Sequence, residues 1–389
     1  MKAKPIFKVS STLCAALLLL FAFSCSREID GLEPADFPTG GEVFLDGFPG
    51  GLQYTAFGGS KTDAFQVDED VFYDGEASMR FSIPDLDDPS GGYAGGAYTF
   101  PVGRDLSGFD ALTFWARATK PANIDEIGFG NDLGESKYRV VITDVAVNTN
   151  WKKYIIPIPD PSKLTQERGM LWYSEGPEDG KGYTFWIDEV QFEKLGTVAH
   201  PKASILRGND LQLTAETGDR LVVDGLTAAA NLPNGVDQTV FVAPGYFDFS
   251  SSDPSVATIN ASGVLTVIDA GNTVITAKLG EVDAAGSLTL ESTGDPILPP
   301  TPAPTPQVSQ DSVISMYSNV YYDVVVDTWN PFWEFSTTLV DDVKIGDDDL
   351  KRYKQLNFVG ILTESAKIEA SEMTNFNMDI RTQDHTDIP

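Results

Sequence analysis

The feature that most constrains the fold is a succession of short β-rich runs without helical spacing, which fills residues 42–196. Examples are ALTFWARA at 111–118, YRVVITDVAV at 138–147 and YTFWIDEVQFE at 183–193. Turn clusters such as DPSGGYAGG and PEDGKG lie between the runs. Strands at this spacing, joined by glycine-rich connections, predict one all-β domain, a β-sandwich of the jelly-roll type.

The chain changes character in a second block, residues 203–292, where strands become short and aromatic residues rare. The runs VATIN, VLTVI and TVITAKL are separated by ASG and DAG, in which glycine provides the turn. About ninety residues of this kind predict a small immunoglobulin-like β-sandwich.

A proline-rich linker, residues 293–307, separates the second block from a third one. Such a segment adopts extended polyproline II and acts as a semi-rigid spacer. The third block, 308–389, is β-rich again and contains Trp329 and Trp333. We expect a second jelly-roll-like β-sandwich that continues beyond Pro389, and the alternative is a small domain complete as it stands.

The N-terminus has the pattern of an export signal. Lysines at 2, 4 and 8 precede an apolar run, Leu13–Phe23, that is too short for a bilayer, which takes about 20 residues. The run ends at Ser24 and Cys25. We therefore predict a signal peptide at 1–24 and a flexible acidic tether at 25–41.

The stretch FAFSC resembles the lipobox of bacterial lipoproteins. The resemblance implies cleavage before Cys25 and lipidation of its thiol, so that the protein is anchored to the outer membrane. The alternative is an ordinary signal peptide with an incidental cysteine. The acidic residues Glu28, Asp30 and Glu33 resemble the surface-export signal of Bacteroidetes-type lipoproteins. That likeness implies a position on the cell surface, with glycan-uptake proteins as partners.

Net charge limits the partners. The formal charge is −30, from 57 acidic and 27 basic residues, so the surface repels nucleic acid and anionic lipid. The chain has two histidines, His200 and His385, which argues against a histidine-built zinc site. The composition suits a neutral polymer ligand and supplies carboxylates for calcium.

Aromatic rings beside polar groups predict a carbohydrate-binding surface on the first block. Sugars present flat C–H faces that stack on rings and hydroxyls that pair with polar side chains. The candidate glycan-binding residues are Tyr54, Tyr93, Trp115, Arg117, Asn131, Asp132, Trp172, Tyr173 and Glu175.

Strand alternation divides these candidates between the core and the surface. If Leu112, Phe114 and Ala116 face the core, Trp115 and Arg117 lie on the opposite face. The alternative places Trp115 between the sheets. The stretch LWYSEG, 171–176, is interpreted as a loop with a binding role. We interpret Trp151 and Trp186 as core residues.

The first block as a whole resembles galactose-binding-like jelly-roll carbohydrate-binding modules. The likeness rests on the order of AFGGSKTDAF, GEASMRFSIP, DLSGFDALTFWARA, WKKYIIPIP and YTFWIDEVQFEKLG. It implies a structural Ca²⁺ with ligands at Asp46, Gly75, Ser78 and Asp188. The alternative is a set of plain surface carboxylates. In the second block, SSDPSVATINASGVLTVIDAGNTVITA resembles the bacterial Ig-like group 2 domain.

No catalytic constellation is found in the 389 residues. Glu28, Asp30 and Glu33 resemble the paired-carboxylate motif of family 16 β-glucanases, but they lie in the tether, whereas a catalytic pair must be held rigidly. The leading hypothesis is a lipid-anchored surface protein that captures a polysaccharide, such as a β-glucan. One alternative is the non-catalytic N-terminal part of a family 16-like glycoside hydrolase. Another is an adhesin or structural spacer.

Overall fold

The computed structural model describes residues 39–196, 198–295, 298, 301–331, 333, 336 and 338–382. The predicted signal peptide, Cys25 and the acidic triplet at 28–33 lie outside the described residues. The all-β prediction is confirmed, since the described helical segments are four short 3-10 turns. They are Pro161–Lys163, Leu206–Gly208, Pro244–Tyr246 and Gln310–Ser312. No helix in the described ranges is long and apolar enough to cross a membrane.

The described chain divides into two compact units. The first ends at Ser292, and the second begins at Thr293. The first block builds two facing sheets within the first unit. Its first sheet consists of β1 (Glu42–Phe44), β3 (Phe65–Asp68), β4 (Ser78–Ile83), β6 (Ala111–Ala118), β9 (Lys152–Pro157) and β11 (Tyr183–Glu193). Its order is β3-β4-β11-β6-β9, with β1 paired to β11.

The second sheet takes the remaining strands of the first block. They are β2 (Gln53–Ala56), β5 (Ala94–Arg104), β7 (Ala122–Phe129), β8 (Val140–Val147) and β10 (Glu167–Glu175). The strands are antiparallel in the order β8-β7-β10-β5-β2.

Aromatic rings fill the space between these two sheets. Phe81 lies 4.8 Å from Phe185 and 4.5 Å from Tyr173, measured between ring centroids. All three side chains are fully buried. Each ring removed from water stabilises the fold by about 1.5–3 kcal/mol, so this cluster is a main source of the sandwich's stability.

Three strands of the second block extend the second sheet. They are β12 (Ala199–Ser204), β15 (Thr227–Asn231) and β16 (Asp237–Val242). Because β16 pairs with β8 at Phe241↔Val141 and Val242↔Val140, the sheet runs without a break over eight strands, β12-β15-β16-β8-β7-β10-β5-β2. This pairing covers the edge of β8, whose backbone groups would otherwise be a template for association.

The rest of the second block forms two small sheets. One has the order β13-β22-β20-β17, with β21 on β20, and the other has the order β14-β19-β18. Their bounds are β13 Asp210–Ala215, β14 Arg220–Val222, β17 Phe247–Ser251, β18 Ala257–Ile259, β19 Val264–Val267, β20 Gly271–Leu279, β21 Val282–Asp283 and β22 Ser287–Ser292. Leu265, Ile275 and Leu290 are buried. Gly263, in the predicted ASG turn, has φ +70°.

The second unit contains one antiparallel hairpin among its described residues, β23 (Leu339–Ile345) and β24 (Asp348–Lys354). The turn uses Gly346 at φ +61°. Trp329 lies 5.3 Å from Tyr317, and Lys351 approaches both rings. Trp333 is 48% exposed. The domain boundaries given above, including the extent of this third block, stay predictions.

Candidate functional site

The outer face of the first sheet carries the predicted pair Trp115 and Arg117. The alternation expected for β6 is confirmed, since Leu112, Phe114 and Ala116 are fully buried in the core. Trp115 and Arg117 point the other way and are half-buried. The shared face of β6 therefore presents a ring and a guanidinium two residues apart.

Three further rings join Trp115 and Arg117 to form what we call the ring platform. Its members are Tyr73, Trp115, Arg117, Trp151 and Trp186. Tyr73 stacks on Trp115 with centroids 3.9 Å apart and planes 13° apart, and it lies 6.0 Å from Trp151. The Arg117 guanidinium carbon lies 6.0 Å from the Trp151 ring and 5.7 Å from the Trp186 ring. The platform thus holds four neighbouring rings, two of which lie within cation–π distance of Arg117.

The ring platform is open to solvent. Tyr73 is 41% exposed, and Trp115 and Trp151 are half-buried. Trp186 is buried, but it lies on this outer face, where its Nε1 donates to Asp68 Oδ2 at 2.9 Å. The interpretation of Trp151 as a core residue is wrong, because Trp151 is half-buried beside Arg117 and Tyr73. Trp186 is buried as interpreted, but on the outer face, because it pairs with the half-buried Arg80 and Arg117.

Polar groups surround the rings on the same face. Lys153 pairs with Glu193 at 2.7 Å, and Thr113 Oγ1 donates to the same carboxylate at 2.9 Å. Arg117 Nε is buried with no hydrogen-bond partner among the described residues. A platform of rings edged by hydroxyl, carboxylate and cationic groups can both stack on a ligand and hydrogen-bond it.

A loop between β3 and β4 delivers Tyr73 to the platform, and two acidic residues hold that loop. Asp188 Oδ2 accepts the backbone N–H of Tyr73 at 2.6 Å and that of Asp74 at 3.3 Å. Asp46 Oδ1 accepts the N–H of Glu76 and that of Ala77. The loop conformation, and with it the position of the Tyr73 ring, therefore depends on these two carboxylates.

The four predicted calcium positions converge on this loop. Gly75 has φ +74°, and a Cβ there would collide with the Asp46 carboxylate. Ser78 Oγ donates to the carbonyl of Val71. Asp188 is fully buried; burial raises the pKa of its carboxyl, and the nearby Asp46 raises it further.

These oxygens suit a hard cation in type, because carboxylates and loop carbonyls are what calcium takes. Within the described ranges, however, no group of three or more His, Cys, Asp or Glu side chains could hold a metal. Both carboxylates already accept backbone N–H groups. Calcium at this loop stays a prediction.

The stretch LWYSEG lies in strand β10, so the expectation of a loop is wrong. Tyr173 is buried between the sheets, and its hydroxyl lies 3.1 Å from that of Tyr54. Trp172 lies on the outer face of the second sheet and is 2% exposed. Tyr173 therefore has no surface that a polysaccharide could contact, whereas Tyr54 is half-buried.

Glu175 is a buried acid at the end of β10. Its carboxylate accepts the Tyr183 hydroxyl proton at 2.8 Å and the backbone N–H of Asp125. Burial raises the pKa of Glu175 to about 8, which makes the neutral acid the main form at neutral pH. Burial likewise raises the pKa of Glu167, at the other end of the strand, to about 7. Glu175 thus has a packing role rather than contact with solvent.

The remaining candidates shape turns. The Tyr93 hydroxyl donates to the carbonyl of Gly58 at 2.9 Å. Asn131 Oδ1 accepts the N–H of Leu133, and Asp132 Oδ1 accepts the N–H of Gly134 at 2.9 Å. The nine predicted residues therefore do not meet in one place, and Trp115 with Arg117 is the pair that belongs to the ring platform.

Sequence reasoning missed Tyr73 as a site residue and placed Trp151 in the core. Tyr73 comes from an acidic loop 42 positions before Trp115 in the chain, and its stacking depends on a long-range contact with Asp188. The available signal was Phe72-Tyr73, two adjacent aromatic residues in a segment rich in Asp and Glu.

No protein-family model matches the chain, and no curated protein matches it. Solved structures are similar to parts of it, among them two carbohydrate-binding modules and a β-1,2-glucanase. The Clostridium thermocellum family 11 carbohydrate-binding module in complex with a β-1,3-1,4-mixed-linked tetrasaccharide is 15% identical over 41% of this chain and 98% of its own, with a TM-score of 0.30.

A family 30 carbohydrate-binding module is 20% identical over 41% of this chain and 86% of its own, with a TM-score of 0.28. A β-1,2-glucanase from Parabacteroides distasonis is 11% identical over 68% of this chain and 40% of its own, with a TM-score of 0.29. At these TM-scores the likenesses support no conclusion about function, which has to come from the geometry of the ring platform.

Proposed function

We propose that the protein is a lipid-anchored, cell-surface glycan-binding protein whose ring platform stacks on a neutral polysaccharide, such as a β-glucan. The observation that supports this most is the stack of Tyr73 on Trp115, which leaves an exposed phenol plane on the outer face of a rigid sheet. Large exposed aromatic surface is unusual unless it binds something.

The chemistry around the platform favours a sugar over other flat ligands. The chain carries a formal charge of −30, so an anionic polymer would be repelled over most of the surface. Arg117 supplies donors for hydroxyl oxygens, and Glu193 supplies acceptors. A ligand with apolar C–H faces and a rim of hydroxyls meets both requirements.

The anchor belongs to the same proposal. The lipobox-like stretch before Cys25 supports lipidation, and more than one acyl chain is required for stable membrane attachment. An anchored receptor gains from a polymeric ligand, because many weak contacts act together. We expect mass spectrometry of the protein purified from cell membranes to show that the mature chain begins at Cys25. Its N-terminal peptide should be heavier than the unmodified peptide by the mass of the attached acyl chains. An unmodified Cys25 would remove the anchor from the proposal.

Affinity electrophoresis of the full chain against a panel of neutral polysaccharides tests the site. We expect retardation by at least one β-glucan, and a loss of that retardation in Trp115→Ala and Tyr73→Ala. Phe72→Ala is the matched control, since Phe72 is exposed in the same loop. Unretarded wild-type protein on every gel would end the glycan-binding proposal. Retardation that survives both platform variants would place the site elsewhere.

A further inference from the structure

One row of residues crosses the whole eight-stranded sheet in register. The pairings Phe241↔Val141, Val141↔Gly128, Gly128↔Trp172 and Trp172↔Ala97 link β16, β8, β7, β10 and β5. The row continues through Thr227 of β15 on one side. It therefore begins in the second block and ends in the first, without a gap at the boundary.

The row lies on the outer face of the second sheet. Trp172, Val141 and Ala97 form a small apolar cluster of their own, apart from the main core, with Phe57 packed beside them. Val140 and Val242, the neighbours of Val141 and Phe241, are buried in the core. Side chains alternate along a strand, so Val141 and Phe241 face outward together.

Trp172 lies along this face with a cation over its ring. Its Nε1 donates to the carbonyl of Val140 at 3.3 Å, so the indole reaches across β7 at Gly128, which has no side chain to obstruct it. The guanidinium carbon of Arg139 lies 4.7 Å from the centre of the indole. Arg139 is exposed. A ligand at this point would therefore contact the planar guanidinium of Arg139, which lies over the indole of Trp172.

Phe241 is a second plane in the same row. It is 47% exposed although it lies within strand β16. The Trp172 indole lies over β7, two strand spacings from β16, so it is about 10 Å from Phe241. Thr143, Glu126 and Ser174 form the adjacent row on the same face and supply hydroxyl and carboxylate groups beside the two planes.

We propose that this face is a second glycan site, in which one neutral oligosaccharide contacts the Arg139–Trp172 pair and Phe241 at once. The inference rests on the proposed function for its ligand class. It gives the second block, otherwise a spacer, a direct part in binding. A disaccharide is too short to contact both planes, so the contribution of Phe241 depends on ligand length.

Isothermal titration of the full chain with β-glucan oligosaccharides, from disaccharide to octasaccharide, tests this. We expect Phe241→Ala to weaken binding of the longest ligands about tenfold, or about 1.4 kcal/mol, and to leave the disaccharide unchanged. Arg139→Ala is expected to weaken the longest ligands as well. Leu213→Ala, an exposed apolar residue in another sheet of the same block, is the control and should change nothing.

The outcomes separate this inference from the proposed function. If Trp115→Ala weakens binding while Phe241→Ala and Arg139→Ala do not, the ring platform stands and the second site is wrong. An equal effect of Phe241→Ala on every ligand length also contradicts it. If the wild-type chain binds none of the oligosaccharides, both proposals fail. Thermal melts of each variant confirm that it is folded.

Discussion

Single residues of β6 could be placed from the sequence, but their partners could not. Alternation showed that Trp115 and Arg117 share one face of β6, because strand side chains point to opposite sides in turn, but it left open whether that face is the outer one. The stacking of Tyr73 on Trp115 required knowing where an acidic loop folds back, which depends on hydrogen bonds to the distant Asp188. The pattern of residues within one strand therefore shows which of them share a face. It does not show which side chains from distant parts of the chain contact them there.

The buried acid Glu175 gives a pH dependence of stability. Its pKa rises from 4.5 in a model peptide to about 8 in the fold, so its contribution is fully present below pH 4.5 and is lost as the pH rises through about 8. We expect the melting temperature to fall between pH 5 and pH 9 and the fall to be smaller in Glu175→Gln. Calorimetry at several pH values measures the melting temperature of both proteins. A melting temperature with the same pH slope in both proteins would contradict this assignment.

Gly75 is a second residue whose substitution has a defined cost. It has φ +74°, and a Cβ would meet the Asp46 carboxylate. A left-handed conformation costs an L-residue about 1–2 kcal/mol, so Gly75→Ala should destabilise the first unit by at least that much. Gly47→Ala is the control, since a Cβ at Gly47 has open space. Denaturant melts that show equal stability for the two variants would refute this account of the loop.

At the scale of elements, β10 explains why the sequence was misleading. In a strand with one exposed face, apolar and polar residues alternate along the sequence. In β10, Trp172 and Tyr173 are both buried, on opposite faces of the strand. Arg139 covers Trp172 on the outer face, and Tyr173 packs in the core. A strand buried on both sides shows no alternation of apolar and polar residues, so its sequence does not identify it as a strand.

The loop between β3 and β4 is the element on which the calcium prediction can be tested. If a cation binds Asp46 and Asp188, removing it should free the loop and lower the melting temperature, since a ligand that binds only the folded state stabilises it. We expect EDTA to lower the melting temperature, excess Ca²⁺ to restore it, and Asp188→Asn to remove the dependence. A melting temperature indifferent to EDTA would mean that the carboxylates hold the loop through backbone N–H groups alone.

At the scale of the whole molecule, strand content and the first sandwich could be predicted, but the shared sheet could not. The sequence divides into blocks at 196 and 203, whereas β16 of the second block pairs with β8 of the first. Edge pairing between blocks depends on which strand edges remain open once each sandwich has formed, and hydrophobic patterning within one block does not contain that information.

The shared sheet predicts that the first block depends on the second. A shortened protein ending at residue 196 exposes the edge of β8 and the outward side of Val141. We expect it to melt at a lower temperature than a protein ending at residue 292 and to associate at high concentration. Scanning calorimetry with light scattering measures both effects. Equal melting temperatures and a monomeric short protein would contradict a structural role for the β8–β16 pairing.

The central claim is that sugar stacks on the outer face of the first sheet. The most direct measurement is a crystal structure of the full described chain, residues 39–382, with a bound neutral β-glucan oligosaccharide. The account predicts a sugar ring parallel to the exposed plane of Tyr73, with hydroxyls within hydrogen-bonding distance of Arg117. An occupied ligand that leaves the Tyr73–Trp115 stack bare would contradict it.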